Sequence, residues 1–506
     1  MDDTSTGRVS SLGKLEELPQ RAGERARVAG RRTALTVVVP IRRGHASAEL
    51  SKVLEAVGRD IRRNTLIPLD ALKTTHFLRW VIVPAARGEA GQESRELLAF
   101  EANFDGDVGS FLEDLIRVAG KALRTCIYCH CEPSPPARGE DPDAALKDYL
   151  LDHALPEALF YQSYPGLTVE SIDNDARVRR LINQYLSDSQ GACARLMRLA
   201  RRRTGRPGRS RSEESRLQQD IRQDIRSHLE QVQAREAKEK AEGVLRLEPE
   251  PVPWKARLLR MPLVRNGMAA LVMPVAVPTW LTLLGLELAE GVAQWVKGGE
   301  SKPATATYDS KARAKLSELL EREDFQAQNQ LTHLVDLKPG ALRPPLARLS
   351  LWVWGYLARY YFTEGQLGGI EGIHFARWVM LEDEVEGEEG PRKKHRMLFF
   401  SNYDGSWEDY LGSFVDRASI GLTTIWCSTE GFPRTRLRLR PFGLELGADR
   451  EEAFKLWVRQ HQVYTEAWFT RHPGKSVSNI VNDRELRSKV KARLSSRQVR
   501  DWLRRI

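Results

Sequence analysis

The sequence predicts an α+β protein made of two copies of one β-α-β-β-α-β unit, with a helical and partly apolar insert between them. Two observations lead to this fold class. The chain repeats itself at a nearly constant spacing, and each copy alternates short β-branched strands with amphipathic helices. The copies are predicted at 33–186 and 328–506 and the insert at 187–327, after a polar tail at 1–32.

The repetition consists of five matches in the same order. Residues 75–81 (THFLRWV) return as 373–379 (IHFARWV), 298 positions later. The other matches pair 36–44 with 332–340, 103–106 with 402–405, 127–129 with 425–427, and 164–175 with 472–483. Because offsets confined to 296–308 are hard to obtain by chance, we interpret the chain as an internal duplication.

Each copy is divided into strands and helices by its hydrophobic spacing. The clearest helix is 107–119, where apolar residues recur every three or four positions. Predicted strands are 36–41, 75–83, 97–102 and 123–131 in the first copy, and 331–337, 373–381, 397–401 and 422–428 in the second. Predicted helices are 48–61 and 107–119, then 342–362 and 406–418, with a closing helix near 168–186 and 476–492. This order is that of the split βαβ, or ferredoxin-like, unit.

Two such units in one chain resemble the dimeric α/β-barrel superfamily, which includes the haem-binding dye-decolourising peroxidases and chlorite dismutases. The resemblance is architectural and covers about 300 residues. It implies two sheets that pair as an intrachain α/β barrel, a ligand site in one half, and haem as cofactor. The peroxidases carry a Gly-x-x-Asp-Gly signature. Here Asp105-Gly106 and Asp404-Gly405 lack the first glycine.

His374, Arg377 and Asp404 are the predicted catalytic residues, and His374 with Trp378 the predicted haem-binding pair. An imidazole can ligate a metal or titrate near neutrality. Strand alternation places His374, Ala376 and Trp378 on one face and Arg377 on the other. The alternative for His374 is a structural role, because His76 occupies the matching position of the first copy.

Asp404 lies where a predicted strand ends and a helix begins. There Asp404 or Ser406 can cap the free amides of the helix, and Asp409 completes a pattern similar to a capping box. The alternative is a carboxylate at the barrel mouth that shuttles protons. Cys126, Cys129 and Cys131 with His130 lack the second ligand pair that zinc sites use, so no metal site is predicted.

The insert combines a basic tract with an apolar segment. Eight arginines and no acid fall within 194–211, which supplies most of the net charge of +10. Residues 266–286 then carry no charge. As a helix this segment is long enough to cross ~30 Å of hydrocarbon, although Pro274 and Pro278 interrupt it. Three interpretations stay open: a membrane contact, a helical hairpin buried on the barrel, or an oligomer interface. A single span would separate the two halves, so a monotopic or re-entrant contact is preferred.

The first helix of the second copy is unusually aromatic. Residues 349–362 contain two tryptophans, three tyrosines and a phenylalanine, whereas the matching helix of the first copy is amphipathic and largely charged. Such a helix suits either burial under the insert or a membrane face, where ring tips reach water.

These observations favour a cytoplasmic protein held at the inner face of a membrane. Five cysteines in 506 residues exclude a disulfide-stapled secreted module, and the first 32 residues show no signal peptide. The first hypothesis is a haem-dependent, peroxidase-like oxidoreductase that acts on an apolar small molecule. The alternative is a non-catalytic scaffold or assembly protein whose arginine-rich insert docks on anionic lipid or an acidic partner. Homo-oligomerisation stays open, and nucleic acid is disfavoured because no RNA-recognition signature is present.

Overall fold

A computed structural model describes most of the chain as a mixed α+β protein with two main antiparallel sheets. The residues described are 32–86, 93–136, 141–191, 211–239, 243–249, 254–259, 261–296, 325–362, 369–387, 390–439 and 442–506, with isolated positions between 194 and 367. The predicted tail and almost all of the predicted arginine tract therefore lie outside the described residues.

The first half contains five strands and four α-helices among its described residues. In chain order they are β1 (Arg32–Pro40), α1 (Ala46–Arg59), β2 (Thr75–Val83), β3 (Leu97–Asp105), α2 (Val108–Ala122), α3 (Pro142–Asp152), β4 (Ala154–Leu155), β5 (Leu159–Gln162) and α4 (Val169–Asp188). Asp107 caps α2 by accepting the Ser110 amide at 2.9 Å.

The insert and the second half follow. The insert holds α5 (Arg211–Lys238), α6 (Trp254–Leu259) and α7 (Pro262–Val296). The second half consists of β6 (Gln328–Asp336), α8 (Arg343–Tyr360), β7 (Ile373–Gly387), β8 (Gly390–Asp404), α9 (Trp407–Trp426), β9 (Arg436–Leu439), β10 (Phe442–Glu445), α10 (Glu451–Gln460), β11 (Ala467–Thr470), α11 (Val477–Ser488) and α12 (Ser496–Leu503).

Each half lends its last strand to the sheet of the other half. The strand orders are β11-β2-β3-β1-β4 and β5-β7-β8-β6. In the first sheet Ala467 of β11 lies opposite Trp80, and in the second Leu159 of β5 lies opposite Trp378. Because each sheet needs a strand from both halves, the two halves cannot separate without breaking both sheets.

The predicted strands 123–131 and 422–428 are wrong. Leu123–Ile127 forms a π-helical turn followed by a 3₁₀ turn at Tyr128–His130, and α9 runs on as far as Trp426. In the first segment Leu123, Ile127 and Cys131 are buried four positions apart, a spacing that suits a helical continuation of α2. In the second segment every residue from 422 to 428 is buried, so the apolar run does not distinguish a strand from a buried helix.

The two sheets pack face to face and do not close into a barrel, so the predicted barrel is wrong. Their shared core contains Val81 and Ala99 from the first sheet and Val379, Leu398 and Phe400 from the second. The opposite face of the first sheet packs on α1, α2 and α3. That of the second packs on α8, α9 and α10. Both sheets are therefore covered on both sides.

Two buried arginines cross between the sheets in a reciprocal way. Arg79 of β2 donates to Leu331 O at 3.1 Å and to Ser401 O at 3.0 Å in the second sheet. Arg377 of β7 donates to backbone carbonyls of the first sheet, at 2.8 Å in each case, on Leu35 and Ala102. The matching residues of the two halves therefore exchange hydrogen bonds across the core.

One carboxylate serves both arginines. Glu101 lies 2.9 Å from Arg79 Nε and 3.1 Å from Arg377 Nη2, and the position that matches it in the second half is Phe400. Burial lowers the pKa of both guanidinium groups, and the charge of Glu101 opposes that shift. The centre of the core therefore depends on a single acid.

A second reciprocal contact joins the closing helices. Arg179 of α4 pairs with Asp483 of α11, and Arg487 of α11 pairs with Asp175 of α4. Around them a helical core combines α4 and α11 with α5 and α12, centred on Trp502. These contacts therefore also join the two halves at their closing helices, α4 and α11.

Glu101→Gln should lower the free energy of unfolding by about 3 kcal/mol or more, because it leaves two buried guanidinium groups without a carboxylate. Urea denaturation followed by circular dichroism measures the free energy of unfolding. The matched control is Glu113→Gln, which removes the exposed pair with Lys147 at 2.6 Å and should cost less than about 1 kcal/mol. Equal losses for the two variants would contradict the central role of Glu101.

Candidate functional site

His374 lies on a β-bulge rather than in a regular strand. The pairing of β7 with β8 shifts register between Ile373 and Phe375, and β2 shifts in the same way at His76. The extra residue changes which way the side chain points. His374 packs its ring 5.3 Å from Phe77, in the aromatic cluster between the halves, so its predicted place on one face with Ala376 and Trp378 is wrong.

Both ring nitrogens of His374 have partners. Nε2 lies 2.7 Å from Asp404 Oδ1, and Nδ1 lies 2.9 Å from the Tyr164 hydroxyl. Gln328 Nε2 is a further neighbour of Nε2 at 3.2 Å. The ring is completely buried. The imidazole is therefore held on both sides by hydrogen-bonding groups of both halves.

Asp404 joins this bulge to a distant helix. Its Oδ2 accepts the amide of Val477, the first residue of α11, at 2.7 Å. Ser406, and not Asp404, caps α9, since its hydroxyl accepts the Asp409 amide at 3.1 Å. Asp404 therefore caps α11, which is not the helix that follows it directly in the chain.

The first half repeats this arrangement. His76 Nε2 lies 2.9 Å from Asp105 Oδ1, and Asp105 Oδ2 accepts the Val169 amide at 2.6 Å, at the start of α4. Each His–Asp pair thus links a bulge to the first turn of the closing helix in its own half. The duplicated geometry is the one expected of a structural clamp.

Arg377 and Trp378 lie apart from this pair. Arg377 extends into the inter-sheet core, where the two terminal nitrogens of its guanidinium donate to the first sheet. Trp378 is buried on the opposite side of β7, with ring centroids 4.3 Å from Phe399 and 5.8 Å from Trp426. Of the four predicted site residues, only His374 and Asp404 are brought together.

His374 and Trp378, the predicted haem-binding pair, do not fit haem in this arrangement. An axial histidine needs a ring nitrogen free to bind iron, and both nitrogens of His374 face other groups. A haem would also have to displace the packed aromatic rings around Phe77 and Phe375. No step through a haem group follows from this geometry.

The described residues hold no group of three or more His, Cys, Asp or Glu side chains that could bind a metal. In the segment considered for zinc, Cys129 Sγ donates to the Thr125 carbonyl at 3.1 Å. Burial raises the pKa of the Cys131 thiol to about 12, which keeps it protonated.

His333 is a buried histidine that the sequence analysis did not single out. It lines a cavity of about 10 Å³ below β6, with Phe399, Phe414 and Trp426 among its neighbours, and that volume holds roughly one water. Burial, helped by the nearby His461, lowers the pKa of His333 well below its usual value. The ring is therefore neutral, and the cavity as it stands is too small for an organic substrate.

One face of α7 is open to a partner. Along its other face α7 runs antiparallel to α8, from the Arg265 guanidinium 5.1 Å above the Tyr361 ring to Glu287 beside Arg343. Between these points Val272 packs on Val353 and Leu357. One side of α7 is therefore committed to the second half along most of its length.

The C-terminal end of α7 is held by ion pairs. Lys338 Nζ lies 2.5 Å from the buried Glu287 and 3.0 Å from Glu290. Arg343 pairs with Glu290 as well. The buried Glu287 carboxylate with two cations around it fixes this end in place, since breaking its pairs would leave buried charge.

The outward face of α7 is apolar and exposed. The exposed fractions are 86% for Leu263, 70% for Leu271, 53% for Leu281 and 61% for Val292. Among the described residues, Pro262–Ala293 is the one helix long and apolar enough to cross a membrane, with a mean hydropathy of 1.8. Only 17% of its most apolar stretch is buried. An apolar surface of this extent marks an interaction site.

Asp105→Asn and Asp404→Asn should each lower the free energy of unfolding by about 1–3 kcal/mol, because an amide keeps one acceptor where the carboxylate uses two. Urea denaturation of both variants measures it, with Asp409→Asn on the exposed start of α9 as control. Similar losses in both halves are expected from a clamp. A loss confined to one half would contradict the duplicated structural role.

No protein-family model, curated protein or solved structure matches this chain.

Proposed function

We propose that this protein is a membrane-attached scaffold, bound in the plane of one leaflet through the outward face of α7. The observation that carries the proposal is a helix of 35 residues, about 50 Å long, whose exposed face is apolar while its other face is packed on α8. No Asp, Glu, Lys or Arg occurs at 266–286. Such a helix gains by burying its apolar face at a bilayer surface.

An in-plane position is favoured over a span. Both ends of α7 contact the same half of the protein, at Tyr361 and at Lys338. A span would have to pull α7 away from α8 and break the buried ion pairs of Glu287. Because the two halves exchange strands, they must also lie on the same side of the membrane. These contacts support a monotopic protein, and we propose the cytoplasmic face of the membrane on the composition of the sequence.

A membrane is favoured over a second copy of the chain as the partner of α7. Aromatic residues flank the apolar face: Trp254 precedes it on α6 and Trp352 lies beside it on α8, and both are exposed. Tryptophan at the edge of an apolar surface is typical of a membrane interface. Arg257 adds a cation near the same end.

A scaffold is favoured over an oxidoreductase. The polar atoms of His374 and Asp404 are used within the fold, and the same pair recurs in the first half. The haem-dependent, peroxidase-like activity stays a prediction from the sequence, without support from this geometry. We also infer that both halves derive from one ferredoxin-like unit, as the matched bulges, clamps and crossing arginines suggest.

Three charges on the outward face of α7 should abolish membrane binding. The variant Leu271→Glu, Val277→Glu and Leu281→Glu places carboxylates where the face enters the apolar layer, and each costs on the order of 2 kcal/mol or more there. Flotation of the full-length protein with phospholipid vesicles measures it, and circular dichroism checks the fold.

The matched control is Leu456→Glu on α10, a leucine 58% exposed on a different surface, which should float like the wild type. A triple variant that floats unchanged would overturn the proposal. The proposal would also be overturned if the wild-type protein does not bind vesicles but forms a dimer that the triple variant does not form.

A further inference from the structure

The second half contains a small β-ribbon that has no counterpart among the described residues of the first half. The spacing between matching residues is 298 at Ile127 and Ile425 but 308 at Tyr164 and His472, so ten residues are added between them. The ribbon of β9 and β10 spans 436–445, the same number of positions. It belongs to neither main sheet. This ribbon is therefore an addition to the shared plan of the two halves.

The ribbon sequence alternates basic and apolar residues. Residues 434–440 read RTRLRLR, with an arginine at every second position, and Glu445 is the one acid in 434–446. The register pairs Leu437 with Leu444 and Arg436 with Glu445. Leu437 is 53% exposed and Arg436 is exposed beside it. Alternation along β9 puts Leu437 and Arg436 on opposite sides of the ribbon, with Leu444 on the side of Leu437 and Glu445 on the side of Arg436.

The base of the ribbon is fixed beside the end of α7. Arg434 donates to the Glu290 carbonyl of α7 at 3.5 Å. The two chain segments that lead into and out of the ribbon meet at Gly447, where a Cβ atom would lie 1.9 Å from the Pro433 carbonyl oxygen. Only glycine permits this approach. The ribbon therefore leaves the body of the protein next to the last turns of α7, where Val292 and Val296 are exposed.

We propose that the β9–β10 ribbon is a second membrane contact that binds the headgroups of anionic phospholipids. This inference rests on the proposed attachment through α7, because it assigns the ribbon to the same leaflet. Leu437 and Leu444 enter the interface, and the long arginine side chains reach round the ribbon to lipid phosphates, which guanidinium groups bind through charge-assisted hydrogen bonds. The apolar face of α7 supplies binding to any lipid, and the ribbon adds to the preference for negative charge that Arg257 contributes at the other end of α7.

The test compares neutral phosphatidylcholine vesicles with vesicles that also contain phosphatidylglycerol. Arg436→Gln/Arg438→Gln in the full-length protein should weaken binding to the anionic vesicles by roughly fivefold per arginine and leave binding to neutral vesicles unchanged. The matched control is Arg497→Gln/Arg500→Gln, two exposed arginines of α12, which should leave both affinities unchanged.

The outcomes separate the two proposals. A wild-type protein that binds neither kind of vesicle would overturn the attachment through α7. If the wild type binds but shows no preference for anionic lipid, or if the ribbon variant keeps the whole of that preference, the ribbon assignment is overturned while the attachment stands. A preference reduced in the ribbon variant and unchanged in the α12 control supports it.

Discussion

Arg79 and Arg377 reach from opposite sheets to one carboxylate, Glu101, in the middle of the core. Each guanidinium also donates to backbone carbonyls of the sheet it faces. Buried charges of this kind are tolerated only when they are paired with an opposite charge and their terminal donors find acceptors, so the sheets must meet in one register. The face-to-face core, the exchanged strands and the closing helices are all arranged around that register.

Internal repetition made part of this arrangement predictable. The matched Thr75–Val83 and 373–381 segments located β2 and most of β7, and with them the paired histidines and arginines. The strand exchange was not predictable, because β5 and β11 are four residues long and show no distinctive alternation. The bulge at His374 is also invisible in sequence, although it decides which partners the imidazole meets.

The candidate site shows the same limits. Asp404 could be predicted to cap a helix from its position after a strand, but the helix it caps begins 73 residues later. Arg377 could be placed on the opposite face from Trp378 by alternation, but its partners belong to the other half of the chain. The apolar segment at 266–286 was visible by composition. Which side of it faces outward depends on packing against α8, a contact between distant residues.

The two halves share a core plan but differ on their outer surfaces. The first half covers its sheet with α1, α2 and α3. The second half adds the layer of α7 over α8, and the β9–β10 ribbon stands beside the end of α7. This asymmetry confines the proposed attachment surface to one side of the protein. The exchanged strands then join the other half to it.

The most direct test of in-plane attachment is a scan of single nitroxide spin labels along α7 in the vesicle-bound protein, read by their accessibility to oxygen and to aqueous nickel. Labels at the outward positions 271, 277, 281 and 292 should lie at one similar depth, and labels at the inward positions 272 and 279 should be protected from both reagents. Depth that rises to a maximum in the middle of α7 and falls at both ends would show a span. Outward labels open to nickel would show that α7 does not touch the membrane.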